Sequence, residues 1–119
     1  MSKAVWTPAQ QAEYRAKVAK LNDAFRRSLH GGKVFITAGV AGLQSDVQAL
    51  ALRKVATYTD FDEGDNPWGE RDFGAFAISG QKFFWKIDYY DQSMDKGSED
   101  PSDPGKTTRV LTLMLAEEY

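Results

Sequence analysis

The chain contains no cysteine and a single histidine. The first absence excludes disulfides, thiolate zinc sites and a cysteine nucleophile, and it fits a reducing compartment. The second leaves any histidine-based metal site short of ligands, because His30 stands alone at the end of a helical pattern. A Ser-His-Asp triad would need that same residue, and no serine sits in a Gly-x-Ser-x-Gly elbow. No apolar run approaches the roughly 18 residues that a membrane helix needs. Met1 to Trp6 also lack the apolar core of a signal peptide, so the expected location is cytoplasmic, with no membrane partner. Gly39-Val40-Ala41-Gly42 has neither the lysine nor the spacing of a phosphate-binding loop.

What is present suits one folded domain spanning residues 1–119. At 119 residues, with 42% apolar and 13% aromatic side chains, the chain is long enough to bury a core without a covalent staple. Neither an internal repeat nor a linker interrupts it. Charge is distributed unevenly. Residues 1–59 carry nine Lys/Arg against three acids, a net of +6, whereas residues 60–103 carry twelve acids against four bases, a net of −8. The remaining residues balance, giving −2 overall. Such a split gives a basic and an acidic face if the two halves do not interleave.

Thr7-Pro8-Ala9-Gln10 reads as a helix start, with Thr7 as N-cap, Pro8 at N1 and Gln10 closing a capping box. Tyr14, Val18, Leu21, Phe25 and Leu29 then form an apolar stripe, with Arg15, Lys20, Arg26 and Arg27 on the opposite face. Gly31-Gly32 is the expected helix stop. Lys33 to Thr37 reads as a strand, and Ser45-Asp46-Val47-Gln48 as a second capping box opening a helix that runs to about Tyr58. Asp60 to Arg71 is an acidic loop. Phe73–Ile78 and Lys82–Tyr89 form a hairpin turning at Ser79-Gly80, with Phe83, Trp85, Ile87 and Tyr89 on one face and Phe84, Lys86, Asp88 and Tyr90 on the other. For residues 104–117, Asp103-Pro104 as a cap favours a final helix, while Thr107, Thr108, Val110 and Thr112 favour a strand; the helix is preferred. The expected fold is therefore α+β: a small antiparallel sheet (strand near 33–37 plus hairpin 73–89) packed by two or three helices.

Candidate chemistry is sparse. Asp60, Asp62 and Asp65 are hard oxygen ligands, but counting from Asp60 the fifth position is glycine and the twelfth is Arg71, which breaks the EF-hand pattern. No metal and no other cofactor is expected, and no residue is assigned a catalytic role. Glu70, Asp72, Asp88 and Asp91 could perform acid–base work if gathered at one pocket. The aromatic run Phe83-Phe84-Trp85 is flanked by Asp88 and Asp91, which would repel phosphate. Direct nucleic-acid binding is not expected there, and the basic first helix is the better candidate for it.

Leu21-Asn22-Asp23-Ala24-Phe25-Arg26-Arg27, Asn66-Pro67-Trp68-Gly69-Glu70-Arg71-Asp72-Phe73-Gly74 and Phe84-Trp85-Lys86-Ile87-Asp88-Tyr89-Tyr90-Asp91 resemble a bacterial family, domain of unknown function 3768. Gly97 to Pro101 and Thr108 to Thr112 extend the resemblance, from about Leu21 to Tyr119. It brings no activity. The family is similar in setting to small accessory genes of plasmids, integrative elements and phages, which often encode antirestriction or anti-CRISPR proteins. The resemblance thus implies a non-enzymatic protein-binding module of a mobile element. Its partner would be a protein, such as a nucleic-acid-binding host defence complex, met through an acidic surface. Asp62, Glu63, Asp65 and Glu70 in the acidic loop and the Tyr89-Tyr90-Asp91 edge are the expected contact residues, with Trp68, Tyr89 and Tyr90 as aromatic anchors.

Overall fold

In a computed structural model, which describes residues 5–61, 64, 66 and 68–119, the first helix, α1 (Pro8–Ser28), starts where its capping box predicts. Thr7 Oγ1 accepts from the Gln10 N–H at 3.1 Å, and Gln10 Oε1 accepts from the Thr7 N–H at 2.9 Å. The helix ends earlier than the glycine pair, at Leu29, which takes the left-handed cap itself with φ 57°. Gly32 is needed for a different reason: the Phe25 ring and the Arg109 carbonyl occupy the space a Cβ would fill.

The buried face of α1 is Val18, Asn22, Asp23, Phe25 and Arg26. Tyr14, Leu21 and Leu29 are only half-buried. The expected apolar stripe is therefore a mixed one, since Asn22 and Arg26 follow Val18 at four and eight residues and share its face. Arg26 is thus not on the solvent face with Arg15 and Lys20 but 1% exposed. Its guanidinium donates to the carbonyls of Val55 and Tyr58 at 2.8 Å each and pairs with Asp23 at 2.7 Å. Those carbonyls lie at the C-terminal end of helix α3 (Ser45–Ala56), so Arg26 caps a neighbouring helix.

Between them run strand β1 (Gly32–Ile36) and the single turn α2 (Ala38–Ala41). The second capping box does not form. Gln44 is the N-cap, and the Gln48 side chain donates to the carbonyls of Ala41 and Leu43 instead. Strands β2 (Phe73–Ile78) and β3 (Gln81–Tyr90) are the expected hairpin. Ser79 and Gly80 turn it with φ 50° and 83°, the two left-handed positions of a type I′ turn.

The last segment is a strand rather than a helix. Asp103 does cap, accepting from the Gly105 N–H, but only one 3₁₀ turn follows (Pro104–Lys106) before strand β4 (Thr108–Leu115). The sheet order is β1-β4-β3-β2, antiparallel except that β1 pairs with β4 in parallel, Val34 opposite Leu111. A central strand is buried on both faces and so reads as a continuous apolar run. That run, Val110, Leu111, Leu113, Met114 and Leu115, is what imitates a helix in the sequence. The class is α+β, with a mixed sheet of four strands.

The helices cover one face of the sheet. Phe25, Val40, Ala51 and Val55 meet Phe83, Trp85, Ile87, Leu111, Leu113 and Leu115 in a single core. On the other face Phe84 packs against Phe73 and Tyr119, each 5.4 Å away between ring centres. Gly74, opposite Trp85 in the hairpin, lets the Trp85 indole and the Tyr58 ring lie against the backbone of β2. A Cβ there would collide with both rings. Gly74→Ala is expected to cost about 1–3 kcal/mol from overpacking, read as a lower urea midpoint. Arg26→Met, which leaves the α3 carbonyls and Asp23 short of a partner, is expected to cost about 3 kcal/mol in the same assay.

Candidate functional site

The site is assembled around Asn22, a fully buried amide on α1. Its Nδ2 donates to the Glu70 carbonyl at 3.0 Å and to Tyr89 Oη at 2.8 Å, and its Oδ1 accepts from Arg109 Nε at 2.7 Å. The Tyr89 hydroxyl in turn faces two carboxylates, Glu70 Oε1 at 3.1 Å and Asp72 Oδ2 at 3.4 Å. Arg109 lies 5.3 Å from the Tyr89 ring centre and donates to the Pro101 carbonyl. The next residue of α1, Asp23, is held by Arg26 and Arg71, each at 2.7 Å, with Arg27 at 3.9 Å. The segment leading into β2 is therefore fixed at several points. Arg71, at φ 59°, also donates its N–H to Asn66 Oδ1 and lies 5.0 Å from the Phe61 ring.

Burial pushes the Glu70 and Asp72 carboxyls above their ordinary values, only partly offset by the Tyr89 hydrogen bond at Glu70 and by hydrogen bonding at Asp72. Burial, reinforced by the Asp72 charge, drives the Tyr89 phenol far above the ordinary tyrosine range, so it stays protonated and stays a donor. Asp23 goes the other way: burial works to raise it, but the hydrogen bonds from Arg26 and Arg71 outweigh burial and hold it below the usual value.

Outward from this network an open pocket of about 350 Å³ is lined by Trp6, Gln11, Tyr14, Arg15, Trp68 and Glu70. Trp6 packs on Tyr14 with 5.1 Å between ring centres, and the Arg15 guanidinium sits 4.5 Å over the Trp68 ring. Trp68 remains 61% exposed and Trp6 43%.

Of the residues that the sequence singles out, Trp68 and Glu70 line the pocket together, and Tyr89 joins them through the bond from its hydroxyl to the Glu70 carboxylate. Tyr90 lies on the opposite face of β3, paired with Thr108 and bridged to Gly97. Asp91 organises the next turn, accepting at 3.0 Å from Ser93 Oγ and from the Asp95 N–H. The Tyr89-Tyr90-Asp91 edge is thus not one surface. Asp62, Glu63 and Asp65 lie outside the described residues. The four carboxylates proposed for one pocket do not converge. Glu70 and Asp72 meet at Tyr89, while Asp88 pairs with Lys86 and Asp91 stays in its turn. Among the described residues no group of three or more His, Cys, Asp or Glu is placed to hold a metal, and no helix is long and apolar enough to cross a membrane.

Sequence reasoning missed Asn22 and Arg109, the hub and its partner. Their signal was polarity in the wrong place: an amide four residues after Val18 on a buried helix face, and an arginine leading an apolar strand. The pH dependence of folding tests the network. A carboxyl raised in the folded state lends stability that is fully present below its unfolded value and is lost as pH rises through the folded one. Glu70 and Asp72, raised from 4.5 and 3.8, therefore erode stability from about pH 4 upward, against the opposite contribution of Asp23. Glu70→Gln with Asp72→Asn is expected to flatten that decline in urea titrations between pH 4 and 7. An unchanged slope would contradict the assignment.

No curated protein and no solved structure matches the chain significantly. The model of a family described as a protein of unknown function, DUF3768, matches residues 36–118. That match starts later than the resemblance near Leu21, so it takes in Trp68, Glu70, Tyr89 and Arg109 but not α1. Covering well over half of the sequence, it shows that the chain belongs to the DUF3768 family.

Proposed function

We propose that this chain is a non-enzymatic protein-binding module that offers an acidic, aromatic surface to a basic protein partner. An inhibitor of a nucleic-acid-binding host defence complex, of the anti-CRISPR or antirestriction type carried by mobile elements and acting in the cytoplasm, would work in this way. The observation that carries this reading is Trp68: its ring is 61% exposed, yet Asn66, Glu70 and Arg71 around it are tied into hydrogen bonds. A large ring kept in water on a fixed support loses little freedom on binding, which is what makes tryptophan a frequent anchor of interfaces. Asp62, Glu63, Asp65 and Glu70 flank it in sequence. Opposed charge speeds encounter and orients the partner, and a nucleic-acid channel is a surface that supplies positive charge.

The basic helix favours nucleic acid less than its sequence suggests, because Arg26 is buried and Arg15 is stacked on Trp68. The test is capture by the tagged chain from its host lysate at low and high salt. A nuclease or surveillance complex should be retained at low salt and released at high salt. Trp68→Ala is expected to weaken that complex by about 30-fold, the scale of a 2 kcal/mol hot spot. Charge reversal at Asp62, Glu63 and Asp65 should flatten the salt dependence. Affinity unchanged by both sets of changes would overturn the reading.

A second reading rests on Glu70 and Asp72 sharing the Tyr89 hydroxyl, an arrangement in which two carboxyls raised by burial can exchange a proton with a bound group. It is distinguished by thermal stability with calcium, magnesium or manganese. The binding reading expects no shift in Tm, whereas a metal-assisted enzyme would show a rise that grows with ion concentration.

A further inference from the structure

The pocket beside Trp68 contains three aromatic rings, one built-in cation and one carboxylate that forms no direct ion pair among the described residues. Trp6 and Tyr14 form a tilted pair at 57°, and Trp68 lines the same pocket. Arg15 over Trp68 shows that this ring accepts a guanidinium at 4.5 Å. Glu70 also lines the pocket, and the Arg15 and Arg109 charges act on it only from a distance. Among the described residues it has no ion-pair partner, unlike Asp23, the residue next to Asn22 on α1, which has three. Its carboxylate is fixed by the Tyr89 hydroxyl and its backbone by Asn22. Electron-rich ring faces beside a carboxylate attract a cation by two routes at once: the ring quadrupole and direct charge. A volume of about 350 Å³ is at the small end of ligand pockets and suits one long side chain.

We infer that this pocket receives an arginine side chain of the partner protein, its guanidinium stacked between the Trp6/Tyr14 pair and Trp68 and its charge met by Glu70. This deepens the proposed binding function and rests on it. It also gives that function a directional contact: an arginine offers a flat face to the rings and N–H edges to the carboxylate, and both demands are met in one site. A phosphate backbone would meet Glu70 as a like charge.

The chain's tryptophans provide the readout, since Trp6 and Trp68 line the pocket and Trp85 is buried in the core. The probe is a blocked Gly-Ser-Arg-Ser-Gly peptide, titrated against the intact chain while the three indole N–H resonances are followed by NMR. Saturable shifts are expected at Trp6 and Trp68 and none at Trp85. Binding should exceed that of the same peptide with citrulline in place of arginine by about tenfold, equivalent to 1.4 kcal/mol of charge recognition. Glu70→Gln, a near-isosteric change, should abolish that preference while leaving the fold intact, checked by an unshifted Trp85 signal. No shift at millimolar peptide, or equal binding of the citrulline peptide, would overturn the inference, as would displacement of the peptide by a single-stranded oligonucleotide seated on the same rings. Partner capture lost in Trp68→Ala but preserved in Glu70→Gln would overturn the arginine pocket while leaving the binding module standing. Capture preserved in both variants would overturn the arginine pocket, and capture preserved as well after charge reversal at Asp62, Glu63 and Asp65 would remove the binding module too.

Discussion

A carboxamide sealed from water must find every partner inside the protein, and Asn22 finds three. They come from the segment before β2, from β3 and from β4, so a single side chain fixes where α1 lies on the sheet. The geometry of the pocket is inherited from that choice. Tyr14 and Arg15 stand about two turns upstream on the same helix, and Glu70 is held by the very carbonyl that Asn22 binds. An apolar residue at position 22 could pack, but it would leave the Glu70 carbonyl, the Tyr89 hydroxyl and the Arg109 guanidinium each short of a bond, in a place where an unmade bond is costly.

The uneven charge of the sequence gains a structural meaning here. Residues 1–59 are basic and residues 60–103 acidic, and it is the minority charge of each that binds the other. Asp23, one of three acids in the first stretch, pairs with Arg71, one of four bases in the second. These exceptions are consumed in a partly buried contact, and of the majority charges Arg26 is buried and Glu70 and Asp72 are partly so. Screening by salt weakens exposed charges far more than the Asp23–Arg71 contact.

The hairpin, its turn and the alternation of Phe83, Trp85 and Ile87 were readable because a half-buried strand writes its faces into every second residue. The start of α1 was readable for a similarly local reason, the reciprocal bonds of Thr7 and Gln10. Non-local facts were not readable. Strand β4 resembles a helix until its position between two neighbours is known. Arg26 looks like surface charge until the open end of α3 is seen beside it. Trp68 and Glu70 were visible as candidates. Trp6, Gln11 and Tyr14 were not, because they meet Trp68 only through the path of α1 over the network at Asn22. Tyr89, expected as an outward anchor, instead turns its hydroxyl inward to two carboxylates.

The last strand of the sheet in chain order is one of the two in its middle. Lys33 of β1 sits opposite Val110 of β4, 77 residues later, and β1 pairs with nothing else in the sheet. During synthesis the helices and the hairpin can form as they emerge, but β1 waits with open edges until β4 has been made. This places the molecule among topologies that fold through long-range closure rather than local contacts. The exposed strand in the unfinished chain is the point at which a chaperone, or a second unfinished copy, would take hold.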